Sequence, residues 1–460
     1  MLRTHKLNEV NEKLIGKNVI LTGWVDSVRE HGNVVFIDLR DRYGKVQSVI
    51  SKKTGNEFEK AKKLTMESCI ALKGEVKQRP KGTENKELDS GKVEVSINEI
   101  EIYNLCEMLP FKINDKETSE DIRLRYRFLD LRSKRMQKNL LLRNKTLKIV
   151  RDFFYDEGFA EIETPILAKS TPEGARDYIV PSRNYPGKFY ALPQSPQLFK
   201  QLTQIGGFDK YIQIAKCFRD EDLRSDRQPE FTQIDVEMSF IEQEDIINLI
   251  EKMIKRIFKE VLNEDVKIPF KRLSYKEAIK KYKSDKPDLR KEMKKKYAFC
   301  WVVDFPLFEY SEEEARYKSM HHPFTMPNMK DFEKNPEKAK SLAYDLVLNG
   351  VELGGGSIRI HNPEIQKKIF EILGISKKQA QEKFGFLLKA LSFGAPPHGG
   401  IAFGLDRLLA MMAGEDSIRE VIAFPKNKEA KDVMLDAPSE ISKAQLKDVH
   451  LKVDLPKKKK

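Results

Sequence analysis

The stretch Phe231–Phe240, FTQIDVEMSF, alternates so regularly that it reads as a strand. Ile234, Val236 and Met238 fall on one face, and Gln233, Asp235 and Glu237 fall on the other. The stretch 210–218, KYIQIAKCF, alternates as well, with Ile212, Ile214 and Phe218 facing inward. Between the two strands lies RDEDLRSDRQPE, which holds three arginines and five acidic residues. A hairpin connection this long and this charged points to a functional loop.

Residues 17 to about 103 read as five short strands, with a helix around EFEKAKKL between the third and fourth. Turns at His31-Gly32-Asn33, Tyr43-Gly44, Thr54-Gly55-Asn56 and Pro80-Lys81-Gly82-Thr83 punctuate them. This is the order of an OB-fold barrel, although SH3-like barrels look similar. In VVFIDLR, Val35, Ile37 and Leu39 share one face, which puts Phe36 among Asp38 and Arg40 on the other. Glu94 is likewise set opposite Val93 and Val95, and Gln47 joins the polar face. An exposed ring to stack a base, with amide and carboxylate groups to read its edge, suits single-stranded RNA. The net charge of +13 fits either a polyanionic partner or a lysine-rich surface.

Other classes are excluded. With 40% hydrophobic residues, 26 Phe and 14 Tyr, the chain has matter for cores and is not disordered. No apolar run reaches the ~18 residues of a membrane span, and the N-terminal MLRTHKLNEVNEKLIGKN lacks a signal-peptide core. Cys69, Cys106, Cys217 and Cys300 lie too far apart for a Cys-x-x-Cys zinc site or a disulfide framework. The expectation is a cytoplasmic enzyme.

Residues 104–130 read as a hinge, a long helix is expected from about Ser133 to Glu157 before Gly158, and Glu161–Pro165 reads as a short strand. In GGIAFGLDRLLAMMAG, Leu405, Leu408, Leu409 and Met412 make a helical stripe, with Arg407 off it. Neither a P-loop nor a G-x-G-x-x-G turn is present. Any ATP would need another toolkit: Arg219 and Arg407, a carboxylate such as Glu352 or Glu221 for magnesium, and Gly354-Gly355-Gly356 for close backbone approach.

Thr164-Pro165, Phe218-Arg219-Asp220-Glu221 and Gly404-Leu405-Asp406-Arg407 resemble motifs 1, 2 and 3 of the class II aminoacyl-tRNA synthetases. The N-terminal barrel is similar to that of subclass IIb. TPEGARDY, QSPQLFKQ, SDKPDLR, WVVDFPLFE, MHHPFT and ELGGGSIRI resemble the bacterial-type aspartyl family, from about residue 1 to Val453. The resemblance implies an α+β chain: an OB-fold anticodon-binding domain (1–105), a hinge (106–132), a catalytic domain on an antiparallel sheet flanked by helices (133–455) and a basic tail (456–460). Bacterial members carry an inserted domain of about a hundred residues between SDKPDLR and WVVDFP, which is missing here near 291–299.

By the same resemblance, Lys200 and Arg359 meet the side-chain carboxylate of aspartate. Glu173, Gln197 and Asp235 serve its amino end, Ser195 joins the aspartate-binding set, and His321 and His322 close over it. Arg219 contacts the α-carboxylate and the α-phosphate. Asp220, Glu221, Gln228, Phe231, Gly404, Leu405, Asp406 and Arg407 hold ATP, and Glu352 holds Mg²⁺. Arg219, Glu352 and Arg407 are the implied catalytic set. Arg29, His31, Phe36, Gln47, Gly82 and Glu94 are the implied anticodon contacts. The implied activity is ATP-dependent attachment of aspartate to tRNA(Asp) through an aspartyl-adenylate, by a homodimer. His31, with Gly82-Thr83, matches relaxed members that also charge tRNA(Asn); members restricted to tRNA(Asp) carry Leu at that position. The rivals are a strictly discriminating enzyme, an asparaginyl or lysyl enzyme, and an inactive RNA-binding paralogue. Lys200 argues against asparagine, and the presence of Arg219, Glu352, Arg359 and Arg407 argues against inactivity.

Overall fold

The computed structural model describes residues 2–171 and 174–455; the basic tail expected at 456–460 lies outside these. The chain divides into two compact units, Met1–Ile122 with Phe128–Ser133, and Arg123–Arg127 with Lys134–Lys460. The segment expected as a hinge contains two short helices, Glu120–Arg125 and Arg127–Asp130, and contributes to both units.

The first unit is a closed barrel of β1 (Asn18–His31), β2 (Val34–Arg40), β3 (Lys45–Ser51), β4 (Cys69–Gln78) and β5 (Val93–Asn104), in the order β1-β2-β3-β5-β4. Parallel pairing of β3 with β5 closes it, leaving no strand edge to aggregate. Val35, Ile37, Leu39, Val93, Val95 and Ile97 fill the interior as their alternation requires. Phe58 and Ala61, on the helix Asn56–Lys62 between β3 and β4, pack into the same core.

In the second unit come β6 (Ala160–Glu161), the hairpin β7 (Ile179–Pro181) with β8 (Phe189–Ala191), β9 (Lys210–Phe218) and β10 (Glu230–Ser239). Then follow β11 (Lys271–Ser274), β12 (Phe299–Val303), the hairpin β13 (Phe308–Ser311) with β14 (Arg316–Ser319), β15 (Ala343–Leu348), β16 (Val351–Ile358) and β17 (His398–Gly404). Among the described residues these build an eight-stranded sheet, β11-β12-β15-β16-β17-β10-β9-β6. It is antiparallel except at its two edges, β11–β12 and β6–β9. The helices Lys134–Asp156 and Gln243–Ile257 cover one face, burying Val150, Phe154, Ile250 and Ile254 against Ile234, Val236, Ile401 and Phe403. No described helix is long and apolar enough to cross a membrane.

Two local expectations need correction. On β9, Tyr211, Ala215 and Cys217 are buried as well as Ile212, while Phe218 is only half-buried. The alternation missed this because the helix Gln197–Ile205 packs against β9 on the side away from the two long helices, so the strand's second face is also enclosed. The strand expected at Glu161–Pro165 stops at Glu161. The Ile162 N–H still reaches the Ile212 carbonyl at 3.0 Å, after which Pro165 brings no donor to extend the ladder. The Leu405 side chain is fully buried in the sheet-and-helix core.

Where the inserted domain is missing, the chain runs from β11 through the helices Tyr275–Tyr282 and Arg290–Met293, turns at Lys294 (φ 50°), and enters β12.

Candidate active site

The uncovered face of the sheet floors a cavity of about 1120 Å³. At its base, Asp235 and Glu237 of β10 have no exposed surface. The helix Gln197–Ile205 brings Lys200 over them: its Nζ pairs with Asp235 and lies 3.1 Å from Glu237 Oε2. Arg359, directly after β16, meets the same glutamate through Nε (2.9 Å) and Nη2 (3.2 Å). Its Nη1 donates to Ser357 Oγ at 2.8 Å and faces His322 Nε2. Two cations and two carboxylates therefore face one another as buried groups. Burial alone would raise the Glu237 carboxyl, but Arg359 and then Lys200 hold it down at about 2. Burial dominates at Asp235 and raises it, with Lys200 opposing.

His322 is held well below its ordinary pKa by burial and by Arg359, so it is neutral near pH 7. Its Nε2 faces Arg359 and its Nδ1 faces the Phe324 N–H at 3.2 Å. A neutral imidazole offers a single acceptor nitrogen, so it does not satisfy both donors at once. Among the cavity-wall polar atoms buried without a hydrogen-bond partner are Gln197 Nε2, a donor, and Asp235 Oδ2, an acceptor.

At the other end, the Arg219 guanidinium lies 5.1 Å over the Phe231 ring, and its Nε donates to the Gln194 carbonyl at 3.4 Å. Glu221 pairs with Arg227 at 2.8 Å. Arg407 donates to the Glu352 carbonyl at 2.7 Å and pairs with Asp226 at 3.1 Å, leaving its buried Nε unpartnered. Glu352 pairs with Lys286 at 2.9 Å, and Asp345 Oδ1 lies 3.2 Å from His321 Nε2. Burial raises the Asp345 carboxyl, with His321 opposing; Glu352 ends below its ordinary value because Lys286 outweighs its burial. Gly354, Gly355 and Gly356 lie within β16, against β17. A Cβ on Gly355 would stand 2.6 Å from Asp345 Oδ1, and one on Gly356 would stand 2.2 Å from the Gly400 carbonyl oxygen. Only glycine keeps this wall clear.

The structure thus brings Ser195, Gln197, Lys200, Arg219, Glu221, Gln228, Phe231, Asp235, His321, His322, Glu352, Arg359, Gly404, Asp406 and Arg407 to one cavity. Asp220 does not line it, and sits against Arg176 at 3.6 Å. Asp406 is engaged by Arg143 and by the Thr232 N–H at 2.8 Å, and the Gln228 amide makes paired bonds with the Lys426 backbone (3.0 and 2.8 Å). Both side chains therefore hold protein segments in place. Glu173 lies outside the described residues.

Sequence reasoning did not select Glu237, Asp345 or Lys286. For Glu237 the signal was present, two residues beyond Asp235 on the same polar face. For Asp345 it lay in Asn349-Gly350 between two apolar runs. That pair makes the β15–β16 turn, with φ of 53° and 86°, and folds Asp345 back beside Gly355.

On the barrel, β1–β2 register sets Arg29 opposite Phe36, and the His31 ring stands edge-on to Phe36 at 6.1 Å. Gln47 Nε2 donates to Glu94 Oε2 at 2.9 Å, and Arg29 pairs with Asp38 at 3.1 Å. Gly82 forms a turn between β4 and β5 at φ 85°, its N–H bonded to Glu84.

Residues 119–428 match the family of class II tRNA synthetases (D, K and N), and residues 19–103 match an OB-fold nucleic acid binding domain. The chain is 46% identical to an aspartate–tRNA(Asp/Asn) ligase of Thermoanaerobacter sp. (strain X514), over 98% of both chains. It is 42% identical to the ligase of that name from Thermotoga maritima, over 99% of this chain and all of the relative. The first alignment is 583 positions long against a chain of 460 residues, so that relative carries over a hundred residues without a counterpart here. The asparaginyl-tRNA synthetase of Pyrococcus horikoshii, solved with asparaginyl-adenylate, superposes with a TM-score of 0.78 at 24% identity, covering 92% of this chain and 98% of that one. The aspartyl-tRNA synthetase of Entamoeba histolytica superposes at 0.74 and 24% identity, covering 93% and 92%. A family match over most of the chain, a near-full-length relative and a shared two-unit fold agree: the chain belongs to the class II tRNA synthetases of the D, K and N group.

Proposed function

We propose that this chain activates L-aspartate with ATP and transfers it to tRNA(Asp) and also to tRNA(Asn), as a homodimer acting in the cytoplasm. One observation supports the amino acid assignment above others: Lys200 and Arg359 are buried cations fixed by ion pairs at the base of the cavity, a match for a side-chain carboxylate. A neutral amide gives such cations less, and a lysine side chain would repel them. The unpartnered Asp235 Oδ2 and Gln197 Nε2 suit an ammonium and a carboxylate oxygen of the same substrate. A carboxylate arriving at Arg359 would also relieve the mismatch at His322.

In this reading Arg219 bridges the α-carboxylate and the α-phosphate, and Phe231 braces its guanidinium from below. The α-carboxylate attacks the α-phosphorus in line, giving aspartyl-adenylate and pyrophosphate, and the terminal ribose of the tRNA then takes the aspartyl group. Positioning and charge carry such a displacement, so arginines matter more than a general base. Mg²⁺ fits beside Asp345 and Glu352, two hard oxygen donors on adjacent strands. When bound it supplies charge neutralisation at the phosphates. Arg407 and Arg227 line the same end.

Pyrophosphate exchange tests the amino acid. Exchange driven by aspartate is expected; exchange driven by asparagine or lysine instead, or by none of them, would overturn the assignment.

A further inference from the structure

Lys286 stands at the phosphate end of the cavity, where its Nζ lies 2.9 Å from Glu352 Oε2. Its place is built from several directions. The Lys286 N–H bonds Ser284 Oγ at 3.0 Å, and Arg290 clamps Asp288 at 2.6 Å. Asp288 packs on the β15–β16 turn: a Cβ on Gly350 would stand 3.2 Å from the Asp288 Cβ. Further along, Glu292 accepts from Lys271, from Lys281 at 2.9 Å and from the Tyr282 hydroxyl at 2.7 Å, which ties the segment to β11 and the helix before it. The connection carrying Lys286 is thereby fastened at both ends, next to the two strands that carry Asp345 and Glu352.

A lysine side chain is a compact charge on a flexible stem. It rests on the carboxylate that, in the proposed reaction, takes a divalent cation. A cation held by Glu352 would compete with Lys286 for that carboxylate and would leave the ammonium free to meet another anion in the same cavity.

We propose that Lys286 is a catalytic cation of the adenylation step, exchanging Glu352 for the β- and γ-phosphate oxygens of ATP and holding the departing pyrophosphate. This rests on the aspartate-activating reading. A carboxylate oxygen of aspartate forms a bond to the α-phosphorus while the bond from that phosphorus to the α,β-bridging oxygen breaks, and the electron pair leaves with pyrophosphate. Lys286 gives up no proton; its charge offsets the charge gathering on the leaving group.

The test compares full-length wild type with Lys286→Met and Lys286→Arg by calorimetry, using magnesium pyrophosphate, a non-hydrolysable ATP analogue and aspartate as separate probes. In Lys286→Met, pyrophosphate and the analogue are expected to bind about tenfold more weakly, the scale of one lost charge-assisted contact. Lys286→Arg recovers part of this, while aspartate binding and Tm stay at wild-type values. Without nucleotide, Lys286→Met binds Mn²⁺ more tightly, since the competitor for Glu352 is gone. Unchanged pyrophosphate and analogue affinity in Lys286→Met overturns the proposal, as does a parallel loss of aspartate binding and Tm, which would make the role structural. A wild type that fails to exchange pyrophosphate with aspartate defeats the underlying reading instead, so the two failures are distinguishable.

Discussion

Glu237 faces both Lys200 and Arg359, so the two cations of the proposed aspartate pocket are spaced by a carboxylate of the protein itself. Removing one member of a buried ion pair strands the other, at a cost on the order of 3–5 kcal/mol. Arg359→Leu is therefore expected to abolish aspartate-dependent pyrophosphate exchange and to lower Tm. Exchange at the wild-type rate would remove Arg359 from the site. Glu237 also carries a pH signature. Its carboxyl is held at about 2, against an ordinary 4.5, by Arg359 and Lys200 working against burial. A lowered pKa in the folded state gives stability that is full above about 4.5 and is lost as pH falls toward 2. Denaturant unfolding between pH 5 and 2 should show this loss in wild type and a shallower slope in Glu237→Gln. Lys200 and Arg359 were legible through resemblance, yet the glutamate joining them was not chosen. Alternation identifies a strand face, but it does not tell which cations a distant helix and the end of a strand two places away in the sheet will bring to it.

The three glycines of β16 work as one element, but their neighbours differ in kind. A Cβ on Gly356 meets the Gly400 carbonyl of the paired strand, which moves only if β16 and β17 separate. A Cβ on Gly355 meets the Asp345 carboxylate, a side chain that can turn away. Gly356→Ala is accordingly expected to lower Tm, by overpacking worth ~1–3 kcal/mol. Gly355→Ala is expected to spare Tm and instead weaken the Mg²⁺ dependence of exchange. Equal Tm losses in the two variants would refute this distinction. At this scale the barrel order, the long helix and the β10 alternation were readable, because each is a local periodicity. The buried second face of β9 and the early stop of β6 were not, since covering layers and pairing partners decide them.

Across the whole chain, the cavity belongs to one unit and the face proposed to read the anticodon belongs to the other, so we expect mutation to separate amino acid choice from tRNA choice. The β1–β2 turn carries exposed His31 before Gly32 (φ 58°), with its ring edge-on to Phe36. An imidazole there offers a donor or an acceptor to more than one base, whereas an aliphatic side chain offers neither. We expect wild type to charge tRNA(Asp) and tRNA(Asn) transcripts at comparable rates. His31→Leu should shift charging toward tRNA(Asp) while leaving aspartate-dependent pyrophosphate exchange unchanged, because exchange needs no tRNA. A wild-type preference of about a hundredfold for tRNA(Asp), equivalent to ~2.7 kcal/mol, would sink the relaxed specificity. Unchanged discrimination in His31→Leu would move that specificity elsewhere on the barrel, with the Gly82-Thr83 turn next in line.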